Sequence, residues 1–106
     1  MHIIDILVNC PSADTADAIS AALIEQRLVA CTNRYAPVQS AYFWKGRIEQ
    51  EEEHPLLLKT RAELAQTVED ALRKLHPYEV PPIIRINLDG ANADYIQWVY
   101  AETRLP

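Results

Sequence analysis

Ile4, Ile6 and Val8 alternate with Asp5, Leu7 and Asn9. A two-residue repeat with apolar residues on both sides predicts a strand in the middle of a sheet. Pro11 and Ser12 stop it, and Ser12 or Asp14 can cap a helix running to about Arg27. Ile19, Ala22, Leu23 and Gln26 trace one side of that helix. A second strand opens at Leu28-Val29-Ala30-Cys31, breaks near Pro37 and resumes through Ser40-Ala41-Tyr42-Phe43-Trp44. Lys45-Gly46 predicts a tight hairpin with a return strand from Arg47 to about Lys59. Pro55 marks an edge, a bulge or a break in it. Thr60-Arg61-Ala62-Glu63 has the pattern of a capping box, and Leu64, Ala65, Val68, Ala71, Leu72 and Leu75 line the helix behind it. Pro77 predicts its end near His76. Ile83 to Leu88 reads as a further strand, Asp89-Gly90 as a turn, and a last helix from about Asn92 carries Tyr95, Ile96, Trp98 and Val99.

The order is βαββαβ plus a terminal helix. It predicts an α+β, ferredoxin-like sandwich: one antiparallel sheet ordered 4-1-3-2, both main helices on one face, and a long β-hairpin. The 106 residues form a single domain, 1–106. Two consequences follow. The second sheet face has no helix of its own apart from the last one, and the hairpin carries Tyr42, Phe43 and Trp44. An apolar surface and long strand edges of this kind predict a homo-oligomer. The first strand also ends where the last strand begins. Cys10 should therefore approach the His76-Pro77-Tyr78-Glu79 turn, while Cys31 opens its strand at the opposite end.

Charge narrows the partners. The formal net charge is −5, and no Lys/Arg stripe offsets it, so nucleic acid is not an expected partner. No window approaches the ~20 apolar residues of a membrane span, and no signal-peptide pattern opens the chain. The expectation is a cytoplasmic protein with free thiols at Cys10 and Cys31. Two glycines cannot build a phosphate loop or a dinucleotide fingerprint, and no Ser/His/Asp set is present. An enzyme is not expected.

The stretch HPYEVP, His76 to Pro81, carries the densest chemistry. With Cys10, its His76 and Glu79 could bind a soft or borderline metal, since thiolate and imidazole suit copper or zinc. The same residues equally describe a stiff joint: Pro77 ends a helix, His76 sits at its negative end and Tyr78 packs. Glu49, Glu51 and Glu53 share one strand face. That face either attracts hard cations or is simply solvated. Lys59, Trp44, Tyr42 and Trp98 could line a cleft, or the aromatics could pack in an interface. Cys31 is either a small buried hydrophobe or a cleft thiol.

Several of these residues carry a resemblance. LVACTN (28–33), P-x-x-S-x-Y-x-W-K-G (37–46), LLLKT (56–60), HPYE-x-P (76–81) and Tyr95-x-x-Trp98 stand in an order and spacing that resembles the CutA family of divalent-cation tolerance proteins. The resemblance covers nearly the whole chain. It implies a homotrimer of ferredoxin-like subunits with hairpins pairing between them, similar to the PII signalling proteins, which bind small ligands in clefts between subunits. It also implies a non-enzymatic role in metal tolerance or response. Copper or another divalent metal would be bound, with no cofactor obligatory. The resemblance and the ligand chemistry together select Cys10, His76 and Glu79 as candidate metal residues, and Cys31, Trp44, Lys59 and Tyr78 as candidates for a ligand cleft. The metal site departs from the pattern: Leu75-His76-Pro77 stands where metal-binding members carry His-His-Pro, and Cys10 lies about two residues beyond the place of their cysteine at the end of the first strand. A PII-like small-molecule sensor and a structural trimer that displays other proteins remain the alternatives.

Overall fold

The computed structural model describes all residues, 1–106. Strand β1 (Ile3–Cys10) lies between two antiparallel neighbours, β4 (Arg47–Arg61) and β5 (Ile83–Asn87). It is central because both its faces carry apolar side chains. Ile4, Ile6, Val8 and Cys10 point into the core, where Leu58 stands opposite Ile6 and Leu56 opposite Val8. Helices α1 (Ala13–Glu25) and α2 (Ala65–Leu75) cover that face with Ala16, Ile19, Leu23, Val68 and Leu72.

Ser12 caps α1 by accepting the Thr15 N–H at 3.1 Å. The buried stripe lies further toward the N-terminus than the sequence pattern suggests: Ala16 belongs to it and Gln26 is exposed. The helix stops at Glu25, so Gln26 is already its cap. Arg27 then takes φ +57°, and the Leu28 N–H reaches back to the Leu23 carbonyl at 3.0 Å. This left-handed exit turns the buried Leu28 and Val29 toward the core.

The second predicted strand divides into β2 (Cys31–Arg34) and β3 (Val38–Trp44). Both pair antiparallel with successive parts of the 15-residue β4. The sheet order β2-β4-β1-β5, with β3 beyond β2 on β4, is the expected 4-1-3-2 arrangement. Pro55 falls between Leu56, the last partner of β2, and Glu53, the first partner of β3. Its missing N–H is tolerated where the ladder is interrupted. At the tip Lys45 and Gly46 both have positive φ, +50° and +81°, as a two-residue hairpin turn requires. The arm makes the subunit 45 Å long against 26 and 22 Å.

The capping box is not formed. Thr60 and Arg61 still belong to β4, opposite Ile4 and Ile3. The Thr60 hydroxyl donates to the Leu28 carbonyl at 2.6 Å, and Glu63 accepts from the Tyr100 hydroxyl at 2.7 Å. A 3-10 turn at Ala62–Leu64 leads into α2 without a side-chain cap. The strand runs two residues past its expected end at Lys59, and the Leu28 carbonyl, just ahead of β2, has captured the hydroxyl.

Helix α3 (Ala93–Glu102) lies on the second sheet face, with Tyr95 beside Asp5 and Cys31. It covers only part of that face. Ile84 and Ile86 on β5 remain exposed, as does Trp98 on the helix itself.

Candidate functional site

The joint between α2 and β5 is tied together by His76. Pro77 forbids another helical turn, and His76 leaves the helix in an extended conformation (φ −82°, ψ 135°). The Tyr78 N–H donates to Nδ1 at 3.1 Å. That contact assigns the proton to Nε2, which donates to the Asn9 carbonyl at 2.7 Å. The imidazole is 6% exposed and packs edge-on against Tyr78, 4.6 Å between centroids. Tyr78 in turn donates its hydroxyl to Glu53 at 3.1 Å. The end of β1, the turn and β4 are thus linked through one partly buried relay.

Cys10, expected near this turn, lies one residue beyond Asn9 and is fully buried. Burial first, and the Glu53 charge second, push its thiol up to about 11. Glu79 is exposed and stands 3.5 Å from the Lys45 ammonium at the hairpin tip. The three expected metal ligands therefore have three different surroundings. Both nitrogens of His76 are used, and no group of three or more His, Cys, Asp or Glu side chains is placed to hold a metal ion. The arrangement does not fit a preformed soft-metal centre made of Cys10, His76 and Glu79.

The difference between the thiols is measurable. Cys31 is half-buried, whereas Cys10 is enclosed in the core. In a thiol titration of the native protein near pH 8, one cysteine is expected to react and the other only after denaturation, with Cys31→Ser removing the fast phase. Because the raised thiol pKa favours the protonated folded state, Cys10 costs no stability below its ordinary value of 9.0. Its contribution is lost as pH climbs from there through about 11.

The four residues expected in a ligand cleft occupy two places. Cys31 is opposite Lys59 across β2 and β4, and Lys59 is opposite Asp5 on β1. Tyr95 covers this group; its phenol is held above its usual pKa by burial and then by Cys31 and Asp5. Trp44 pairs with Arg47 at the far end of β4, twelve positions from Lys59, or ~40 Å of extended strand. Trp44 and Tyr78 line a separate cavity of about 740 Å³ that runs along the hairpin arm.

That cavity is strongly acidic. The hairpin register places Tyr42 opposite Glu49, Ser40 opposite Glu51 and Val38 opposite Glu53, so all project from one face. Glu49, Glu51, Glu53 and Glu79 line the space together with Tyr42, Trp44 and Tyr78. Glu53 is only 5% exposed. Burial, followed by the Glu53 charge, drives the Tyr78 phenol far above its ordinary range. Sequence reading left Glu49, Glu51 and Glu53 open between a solvated face and a cation-attracting one. Counting the register back from Lys45-Gly46 places Glu49 against Tyr42, and that signal could have singled them out. His54 was also passed over: it stands opposite Cys10, its Nδ1 is buried without a partner, and its Nε2 is 3.6 Å from Glu52.

An antiparallel ferredoxin-like sandwich with an extended hairpin and a carboxylate-lined cavity along that hairpin defines a small α+β protein. Residues 4–102 match the model of the CutA1 divalent ion tolerance protein family, and the chain belongs to that family. It is 38% identical over 94 residues to the divalent-cation tolerance protein CutA of Pyrococcus horikoshii, covering 89% of this chain and 91% of that one. It is 39% identical over 92 residues to the human protein CutA, covering 87% of this chain, and spans about half (51%) of that relative's length. The crystal structure of the divalent ion tolerance protein CutA1 from Ehrlichia chaffeensis superimposes with a TM-score of 0.93 at 35% identity, over 98% of this chain and 97% of that one. The structure described as the periplasmic divalent cation tolerance protein CutA from Archaeoglobus fulgidus gives 0.91 at 30% identity, over 94% and 97%. No helix here is long and apolar enough to cross a membrane.

Proposed function

We propose that this chain acts without catalysis as a cytoplasmic homotrimer that takes up divalent cations, copper among them, in metal tolerance. The observation that carries the reading is the convergence of Glu49, Glu51, Glu53 and Glu79 on one cavity in which only Glu79 has a cationic partner. Carboxylate oxygens suit hard and borderline cations, and a cavity of this size accommodates them with water still attached. The homotrimer is supported by the apolar residues left on the second sheet face and along the arm. Phe43, Ile48 and Ile84 are 75%, 66% and 54% exposed. A soft-metal role for Cys10 and His76 requires the imidazole to release Asn9 or the Tyr78 N–H, and requires a thiol pushed up to about 11 to ionise.

Native mass spectrometry, with and without Cu(II), Zn(II) or Mn(II), tests subunit number and metal together. The expected result is a trimer whose bound metal is lost in Glu51→Gln and retained in Cys10→Ser. Loss in Cys10→Ser and His76→Ala alone would move the site to the joint. A metal-free trimer would remove the cation reading.

A second reading is favoured by a different cluster. Asp5, Cys31, Lys59 and Tyr95 gather on the second sheet face beneath α3, as a small-molecule sensor of the PII kind would require. A metabolite that raises the melting temperature in the native protein but not in Lys59→Met would favour that reading.

A further inference from the structure

We propose that Cys10 and His54 together form a two-coordinate site for a soft monovalent metal ion, Cu(I) or Ag(I). The site is separate from the carboxylate cavity and shares no ligand with it. Three features carry it.

The first is register. Cys10 at the end of β1 and His54 on β4 are direct partners across the antiparallel ladder. Directly opposed residues project from the same face, with Cβ atoms ~4.5–5.5 Å apart. A thiolate and an imidazole at that separation can reach one ion from two sides. The face is the one that α1 and α2 cover, since Cys10 itself and Leu56, two residues on from His54, lie in the core cluster. The pair stands at the edge of the core, on the opposite side of the sheet from Ile84 and its bare surface.

The second feature is a pair of uncommitted donors. Nδ1 of His54 is buried and has no hydrogen-bond partner, so not even the Cys10 thiol donates to it. Cys10 is a free thiol enclosed in the core. His76 is unlike His54, because both its nitrogens are engaged. A buried polar atom left unpartnered is unfavourable, and a bound ion removes that cost. Nε2 of His54 faces the Glu52 carboxylate at 3.6 Å. A carboxylate on that side keeps the proton on Nε2, leaves the Nδ1 lone pair free and orients the ring, as it does for many metal-bound imidazoles.

The third feature is ligand count and charge. No third His, Cys, Asp or Glu gathers to complete a larger cluster. That disfavours Zn(II), which takes four ligands, and suits a soft ion content with thiolate and imidazole. A thiolate and a monovalent ion cancel, so the loaded site is neutral. A divalent ion would leave a net positive charge in the core. On binding, the Sγ–H bond gives way to an Sγ–metal bond and the proton leaves to solvent. The imidazole contributes its Nδ1 lone pair, and no change of oxidation state is involved. Burial holds the thiol protonated in the empty protein, but a coordinating metal deprotonates it outright. The His54 side chain keeps 15% exposure and gives the ion its way in.

Titration of the full-length native protein with Ag(I), a redox-inert stand-in for Cu(I), tests the assignment by native mass spectrometry. Cys31→Ser serves as the parent, so that the half-buried thiol does not compete. One silver ion per subunit is expected, with a melting temperature that rises with added silver. Cys10→Ala should abolish binding, and His54→Val should weaken it at least tenfold. His54→Val also removes the orphaned nitrogen, so without metal it should melt no lower than the parent. Glu51→Gln should leave silver binding unchanged, which separates this site from the carboxylate cavity. X-ray absorption of the Cu(I)-loaded parent should show one sulfur and one nitrogen ligand, and decides the matter even if Cys10→Ala does not fold. Silver held at full affinity in His54→Val would show a thiol acting alone and overturn the pair. A parent that binds no silver would overturn the site.

Discussion

Replacing Arg61 by alanine is expected to lower the unfolding free energy by about 2–4 kcal/mol, since each buried acceptor left unpaired costs about 1–3 kcal/mol. Arg61 ends β4 and is 7% exposed. Its Nε donates to the Thr103 hydroxyl at 2.8 Å, and its Nη2 donates to the carbonyls of Thr103, at 2.7 Å, and Tyr100. The guanidinium also stacks 4.6 Å from the Tyr100 ring centre. Arg61 ties the end of α3 to the sheet, Tyr100 extends the hold to His2 and Glu63, and Arg27 adds contacts to Ala101 and Glu102 from the exit of α1. Lysine cannot reproduce the planar fork, so Arg61→Lys should lose an intermediate amount. Urea denaturation measures the loss, and faster amide exchange over residues 95–103 locates it. An unchanged midpoint would mean that the apolar contacts of α3 and its polar ties to Arg27, His2 and Glu63 hold it without Arg61.

Leu58→Ala is expected to cost about 3–5 kcal/mol, the range for a fully buried leucine whose cavity cannot collapse. Leu58 is 0% exposed and faces Ile6 on β1 and Thr32 on β2. It lies in the core cluster with Ile19 and Leu23 of α1 and Val68 and Leu72 of α2. Truncating it leaves a cavity between the sheet and both helices. Leu58→Met keeps most of the volume and should cost less than ~1.5 kcal/mol. Chemical denaturation of the two variants side by side separates a packing loss from a general sensitivity of β4. Equal losses in both would show that the site tolerates no change of shape.

The elements and their order were legible because each rests on a local pattern. The alternation at Ile4, Ile6 and Val8 placed β1 at the sheet centre, where it is. Lys45-Gly46 placed the hairpin tip, and the positive φ of both residues supplies the reason. Pro77 ended α2 within a residue of its expected stop. Thr60 was misread because a capping pattern is local while the competing acceptor, the Leu28 carbonyl, lies 32 positions away. The candidate sites were less legible for the same reason. Within one subunit the length of β4 sets Cys31 and Lys59 apart from Trp44 and Tyr78, so a cleft between subunits would draw the two groups from different chains. His76 and Cys10 were correctly drawn to the same end of the sheet, but spacing says nothing about which ring nitrogen is free.

By itself the sequence determined the secondary structure, the strand order and the partly bare second face of the sheet. Periodicity, turn chemistry and the handedness of crossovers act over a few residues and need no knowledge of distant partners. Only the tertiary structure decided which polar atoms are committed and which are left over. It gave both nitrogens of His76 to Asn9 and Tyr78, and it buried Glu53 under Tyr78 without a cation. Those outcomes depend on hydrogen-bond geometry between residues 67 and 25 positions apart, which falls off within a fraction of an ångström and leaves no periodic trace in the chain.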